Sequence, residues 1–190
     1  MDVKVLLEDS LREARAEAIE GLPGGELHRA RAQAWIKNLA KNFQKEYADA
    51  RVFSKYDHLN RPDFGLNEYL HDILVCRLAP AASASHGKKL FYIKDVLWQV
   101  ESEFARDSRQ ALIDFNKLVL GSAQDKLFVG PQVNNPETFL GVLLNAACAC
   151  TGTVYVALVS HPDEWGRKPD WIDVWKLLDQ QWVPVASPTL

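Results

Sequence analysis

Little in this chain would staple it covalently. Only three cysteines stand among its 190 residues. Cys76 lies in an apolar run, while Cys148 and Cys150 share the small-residue stretch 145–151. An odd count without a spaced framework excludes a disulfide scaffold. Cys-x-Cys with no second pair and no nearby histidine is a poor zinc site, so the cysteines read as buried small hydrophobes. His58, His71, His86 and His161 have no Cys or His neighbour at ligand spacing and read as solvated or structural. No apolar run approaches the roughly 20 residues that span a bilayer. The N-terminus is charged throughout and lacks a signal peptide's apolar stretch, so a cytoplasmic protein is the simplest expectation. Missing too are a Gly-rich phosphate loop, a Gly-x-Ser-x-Gly elbow and a His-Glu-x-x-His pair. Charge of one sign is also scarce, the net being -3. That excludes a generic polyanion binder, and any nucleic-acid contact must use locally clustered bases.

What is present is enough chain for one domain with a sizeable core. Residues 2–20 read as a charged helix ended by Leu22-Pro23-Gly24-Gly25. A second helix follows over 26–47, with Trp35, Leu39, Phe43 and Tyr47 as its apolar stripe and Ile36 alongside. Lys37, Lys41 and Lys45 lie about 200° around from that stripe. They read as a solvated face or as a row of phosphate contacts. Strand candidates come at 51–56, 67–78, 126–130 and 153–159. Asp107 and Gln110 suggest a capping box for a helix running to Gly121. Asn135 and Pro136 open another helix. The tail, 161–190, is rich in tryptophan and is expected to pack across the domain. The whole reads as one α/β domain over 1–190 with a mixed sheet flanked by helices: N-terminal helices at 2–48, a core at about 51–160, then the tail.

The informative segment is Leu97-Trp98-Gln99-Val100-Glu101-Ser102-Glu103-Phe104. As a strand it places Trp98, Val100, Ser102 and Phe104 on one face, and Leu97, Gln99, Glu101 and Glu103 on the other. Two carboxylates about 7 Å apart at their backbones repel unless a proton or cation relieves them. Hard cations such as Mg²⁺ take ligands of this kind. The same segment also fits a helical stripe through Ile93, Val96, Leu97, Val100 and Phe104, which would scatter Glu101 and Glu103 over a solvated surface. Its aromatic and β-branched content favours the strand. Asp72, set in apolar sequence, needs a partner, and a metal is one answer. Glu68, four residues earlier, would share its strand face. Asp63 is the rival, in the turn-like Asn60-Arg61-Pro62-Asp63-Phe64-Gly65.

An acidic strand, the strand pair before it and the capped helix after it together resemble the PD-(D/E)XK nucleases. Glu101-Ser102-Glu103 is similar to the variant in which glutamate replaces the motif's lysine. Residues Phe115-Asn116-Lys117-Leu118-Val119-Leu120-Gly121 are similar to the segment that follows Glu-x-Glu in such restriction endonucleases. The resemblance covers roughly 68–129. It implies a restriction-endonuclease-like core and a Mg²⁺- or Mn²⁺-dependent endodeoxyribonuclease acting on DNA. It implies Asp72, Glu101 and the Ser102 main-chain carbonyl as metal ligands, and Glu103 as the group that handles the attacking water. Enzymes of this kind commonly dimerise, so a homodimer is also implied, although no dimer signature stands in the sequence.

On the same face Gln99 could hold substrate or water, and Lys117 could touch phosphate or stand exposed. Two other expectations compete with the nuclease. One is a nuclease-like binding module with little or no catalysis, in a larger complex or a defence system. The other is a purely helical interaction protein, which follows from the long-helix reading of 88–120.

Overall fold

The computed structural model describes residues 1–17, 19, 21–56, 58–82, 87, 90–167 and 169–186; His86 lies outside them. Helix α1 (Val3–Ala16) is capped by Asp2, whose carboxylate accepts from the Lys4 and Val5 amides. Those amides are among the donors that a helix start leaves open. Helix α2 (Gly24–Glu46) packs its stripe of Trp35, Leu39 and Phe43 into the core, all fully buried. Short elements follow: β1 (Arg51–Ser54), a 3-10 turn at His58–Asn60 and α3 (Arg61–Phe64). Then come β2 (Ile73–Pro80) and β3 (Phe91–Ser102). The rest is α4 (Ser108–Val119), β4 (Asp125–Pro131), α5 (Pro136–Ala149), β5 (Thr153–Val159), β6 (Ile172–Leu178) and β7 (Gln181–Pro184). Among the described residues no helix is long and apolar enough to cross a membrane.

The seven strands form one mixed sheet in chain order. β1, β2 and β3 are antiparallel neighbours, α4 and α5 cross over to the parallel strands β4 and β5, and β6 and β7 return antiparallel. This is the mixed α/β domain expected from the sequence. One face of the sheet packs α1 and α2 over Val75, Trp98, Val100, Leu127 and Val129. The other packs α4 and α5 over Phe128, Val154, Val156 and Leu158.

Several elements differ from expectation. Residues 88–120 are not one helix: β3 is a strand, and α4 begins only at Ser108. Period two holds from Trp98 onward but breaks at Leu97. Val75 pairs with Trp98 and Cys76 with Val96, so Leu97 is the extra residue of a bulge and joins the α2 face. The stretch 67–72 is not strand, because Tyr69 and Leu70 stand exposed and only Ile73 enters the sheet. The tail, expected only to pack across the domain, adds two strands to the sheet. Residues 172–184 are a β-hairpin closed by Asp179 and Gln180, both at positive φ (47° and 61°). Two successive left-handed residues give the turn whose twist matches a hairpin, built here without glycine. Cys148 is exposed, Cys150 half-buried and only Cys76 buried; all three are free thiols.

The turn into β5 depends on one glycine. Gly152 has φ +76°, and a Cβ there would meet the Gln124 and Ala123 carbonyl oxygens at 2.4 and 2.5 Å. Backbone oxygens cannot swing aside as a side chain can. Gly152→Ala should therefore destabilise the protein by about 2 kcal/mol, read from the urea midpoint at unchanged slope. An unshifted midpoint would show that the turn relaxes freely.

Candidate functional site

Strands β3, β4 and β5 run parallel and end at one edge of the sheet, and β2 starts at that edge. Register then decides which side chains meet. Ile73 pairs with Val100, so Asp72, one residue earlier, falls beside Glu101. Its Oδ2 accepts a hydrogen bond of 2.9 Å from the Ser102 amide. The Ser102 side chain turns to the opposite face and accepts from Trp35 Nε1 at 3.1 Å. Glu101 faces α4. Asp72 and the Glu-x-Glu pair are thus brought together by the pairing of β2 with β3.

Helix α4 completes the group with residues that the sequence reading valued less. Lys117 Nζ reaches Glu101 Oε2 at 3.0 Å and Asp114 Oδ1 at 2.8 Å. Gln110 does not close a capping box. Asp107 caps the helix through the Arg109 amide, and Gln110 Nε2 instead donates to Asp114 Oδ2 at 2.9 Å. Asp114 was absent from the expected site. The signal for it was the polar series Gln110, Asp114, Lys117, spaced four and three apart on one face of the helix.

The electrostatics follow from crowding. Glu101 is only 1 % exposed, and its Oε1 has no hydrogen-bond partner among the described residues. Burial first, and the Asp72 carboxylate next, push its pKa up to about 8 against the pull of Lys117. Burial also raises Asp72, although the Ser102 amide opposes it. Glu103 is raised by burial and by the carboxylate of Asp114, with which it shares a hydrogen bond. Asp114 moves the other way. Burial would raise it, but Lys117, Gln110 and the proton of Glu103 outweigh that. Lys117 is held charged by the two carboxylates despite its partial burial. The result is several acids, one ammonium and a buried oxygen with an unused lone pair.

Other expected site residues sit elsewhere. Gln99 is buried, its Oε1 directed at the Ala123 amide and its side chain packed under Gly121, so it presents nothing to a substrate. Lys37, Lys41 and Lys45 are exposed, but their ammonium groups lie against Glu17 and Glu13 of the N-terminal segment, at 3.0 to 3.3 Å. They lace α2 to the segment that carries those glutamates, because glutamates on the facing helix meet the stripe. Glu68 shares no strand face with Asp72, since no strand forms there; it is exposed and raises Asp72 by its charge alone. Asp63 is ion-paired to Arg51 at 2.6 Å, which accounts for it structurally. His71 Nε2–H donates to the Lys117 carbonyl at 3.1 Å and so steadies α4 over the site.

Beside Glu103 a cleft opens, lined also by His28, Arg31, Arg106, Asp163 and Arg167. His161 lines it too, so this histidine is not isolated. Comparison with protein-family models, curated proteins and solved structures gives no match. The chemistry of the site is therefore argued from its geometry.

Proposed function

We propose that this chain is a divalent-metal-dependent nuclease that hydrolyses phosphodiester bonds in DNA. The observation that carries the reading is Glu101: a buried carboxylate with an unpartnered oxygen, beside Asp72 and two residues before Glu103, which lines an open cleft. A carboxylate is seldom buried unpaired unless something charged completes it. The order α2, β1 to β3, α4, β4 also follows the nuclease core that the motif resembles, and this supports the reading.

The donors are carboxylate and carbonyl oxygens, the kind that an oxygen-loving cation takes. Asp72 and Glu101, with the Ser102 carbonyl, would hold Mg²⁺ or Mn²⁺. When bound, such an ion polarises the phosphoryl oxygen and lowers the pKa of a coordinated water. Glu103, once its own proton has passed to Asp114, would take a proton from the attacking water. Lys117 supplies the ammonium that Glu-x-Glu lacks, delivered from α4 rather than from the strand. Once Glu101 is bound to a cation, the Lys117 ammonium can turn to a phosphate oxygen.

A second reading has its own support. Lys117 already neutralises Glu101 and Asp114, as it would in a nuclease-like binding module without turnover. The test is incubation with plasmid, single-stranded DNA and RNA in Mg²⁺ or Mn²⁺, with a chelator as control. DNA cleavage that the chelator stops is expected. No cleavage of any substrate would favour the binding module. The metal itself should release a proton as it binds, since Glu101 must ionise to ligate. Calorimetry in two buffers of different ionisation enthalpy should give different heats near pH 7. Equal heats would mean that Glu101 is not a ligand.

A further inference from the structure

We propose a second metal site, for a zinc-type first-row divalent ion, formed by His28 on α2 with His161 and Asp163 at the 3-10 turn Pro162–Glu164. One ligand atom from each lies within 4.8 Å of the others. His28 Nδ1 stands 3.1 Å from Asp163 Oδ1, and His161 Nδ1 stands 3.6 Å from Asp163 Oδ2. Tetrahedral zinc with bonds of about 2.0–2.1 Å spaces its ligand atoms about 3.3 Å apart. The two distances bracket that value. The rings give an independent measure. Two imidazoles on one tetrahedral ion have centroids roughly 5 Å apart by the same bond lengths, and His28 and His161 are 5.2 Å apart with planes tilted by 36°.

The contacts behind the ligand atoms fit as well. His161 Nε2 lies 3.1 Å from the Phe104 carbonyl, which only accepts, so Nε2 carries the proton and Nδ1 keeps its lone pair. A backbone carbonyl on the far nitrogen is the usual way a ligand imidazole is oriented. Without metal, that lone pair accepts from the Asp163 amide at 3.1 Å. An ion would replace this one bond. A small turn of the exposed Asp163 carboxylate would present one oxygen to both imidazoles, and the cleft that these three residues line also reaches Glu103. Two imidazoles and one carboxylate suit zinc, whereas Mg²⁺ prefers oxygen throughout. The ion would tie the start of α2 to the turn after β5, joining distant parts of the chain at the mouth of the acidic cluster. The site stands independently of the nuclease reading.

Titrating the full chain with Co²⁺ at pH 7.5 tests it, since tetrahedral cobalt absorbs visibly and zinc displaces it. One equivalent should bind with the tetrahedral band, and His28→Gln and Asp163→Asn should each weaken it at least tenfold. His28 is partly exposed, so its variant should keep the fold, which circular dichroism checks. Asp49→Asn, at an exposed carboxylate paired with Arg77, should leave the tetrahedral cobalt band unchanged. Absence of the tetrahedral band below 1 mM (about 4 kcal/mol), a band undiminished in either ligand variant, or a band lost in Asp49→Asn would each overturn the proposal.

Discussion

Asp72→Asn and Glu101→Gln should each lower metal-dependent DNA cleavage by at least about a thousandfold. Both side chains would hold the ion that polarises the phosphoryl group, and each variant removes a ligand without changing side-chain volume. Glu103→Gln should cost about a hundredfold or more while leaving the metal bound, because its role is to accept a proton. The split between Glu101 and Glu103 is the informative part. If all three variants lost metal and turnover together, Glu103 would be a ligand rather than a base. Turnover undiminished in all three would place the chemistry elsewhere. Lys117→Met removes the ammonium that holds the Glu101 pKa down, so it should shift the pH profile upward instead of abolishing activity.

A second large effect concerns stability against pH. Folded Glu101 titrates at about 8, against an ordinary 4.5, because burial and Asp72 disfavour its charge. The folded state therefore holds this proton more tightly than the unfolded chain. Its contribution to stability is complete below the unfolded value and is lost as pH rises through about 8. Glu101→Gln cannot lose a proton and escapes that loss. Between pH 5 and pH 9 the native chain should lose on the order of 3 kcal/mol more than the variant. Urea unfolding at the two pH values gives the comparison. Equal losses would mean that Lys117 fully compensates the buried charge. Mg²⁺ at pH 9 should restore stability to the native chain and not to the variant.

The acidic strand was legible because its signal is local. Trp98, Val100 and the two glutamates alternate, and aromatic and β-branched neighbours favour extended chain. Asp72 was legible for a related reason, a carboxylate set among apolar residues. What stayed hidden depended on distance. Asp114 enters the site only because α4 crosses over Glu101, and the helix was read for its apolar side. Lys37, Lys41 and Lys45 looked free until α1 was seen to place Glu13 and Glu17 against them. His28 and His161 lie far apart in sequence, so no spacing rule could join them. The hairpin of β6 and β7 was missed because Asp179 and Gln180 carry a turn that normally announces itself with glycine.

The sheet's strand order has a consequence for how the chain is made. Each strand lies beside the strand translated next to it, so the sheet can grow one strand at a time as the ribosome releases it. Asp72, Glu101, Asp114 and Lys117 have all emerged before β4 begins at Asp125. Mutual repulsion in the nascent cluster is thus met by its own ammonium early, without waiting for a metal. Core closure behaves differently. Leu7 and Leu11 of α1 share their apolar layer with Ile172 and Val174 of β6, so the helix made first waits, partly uncovered, for nearly the whole of translation.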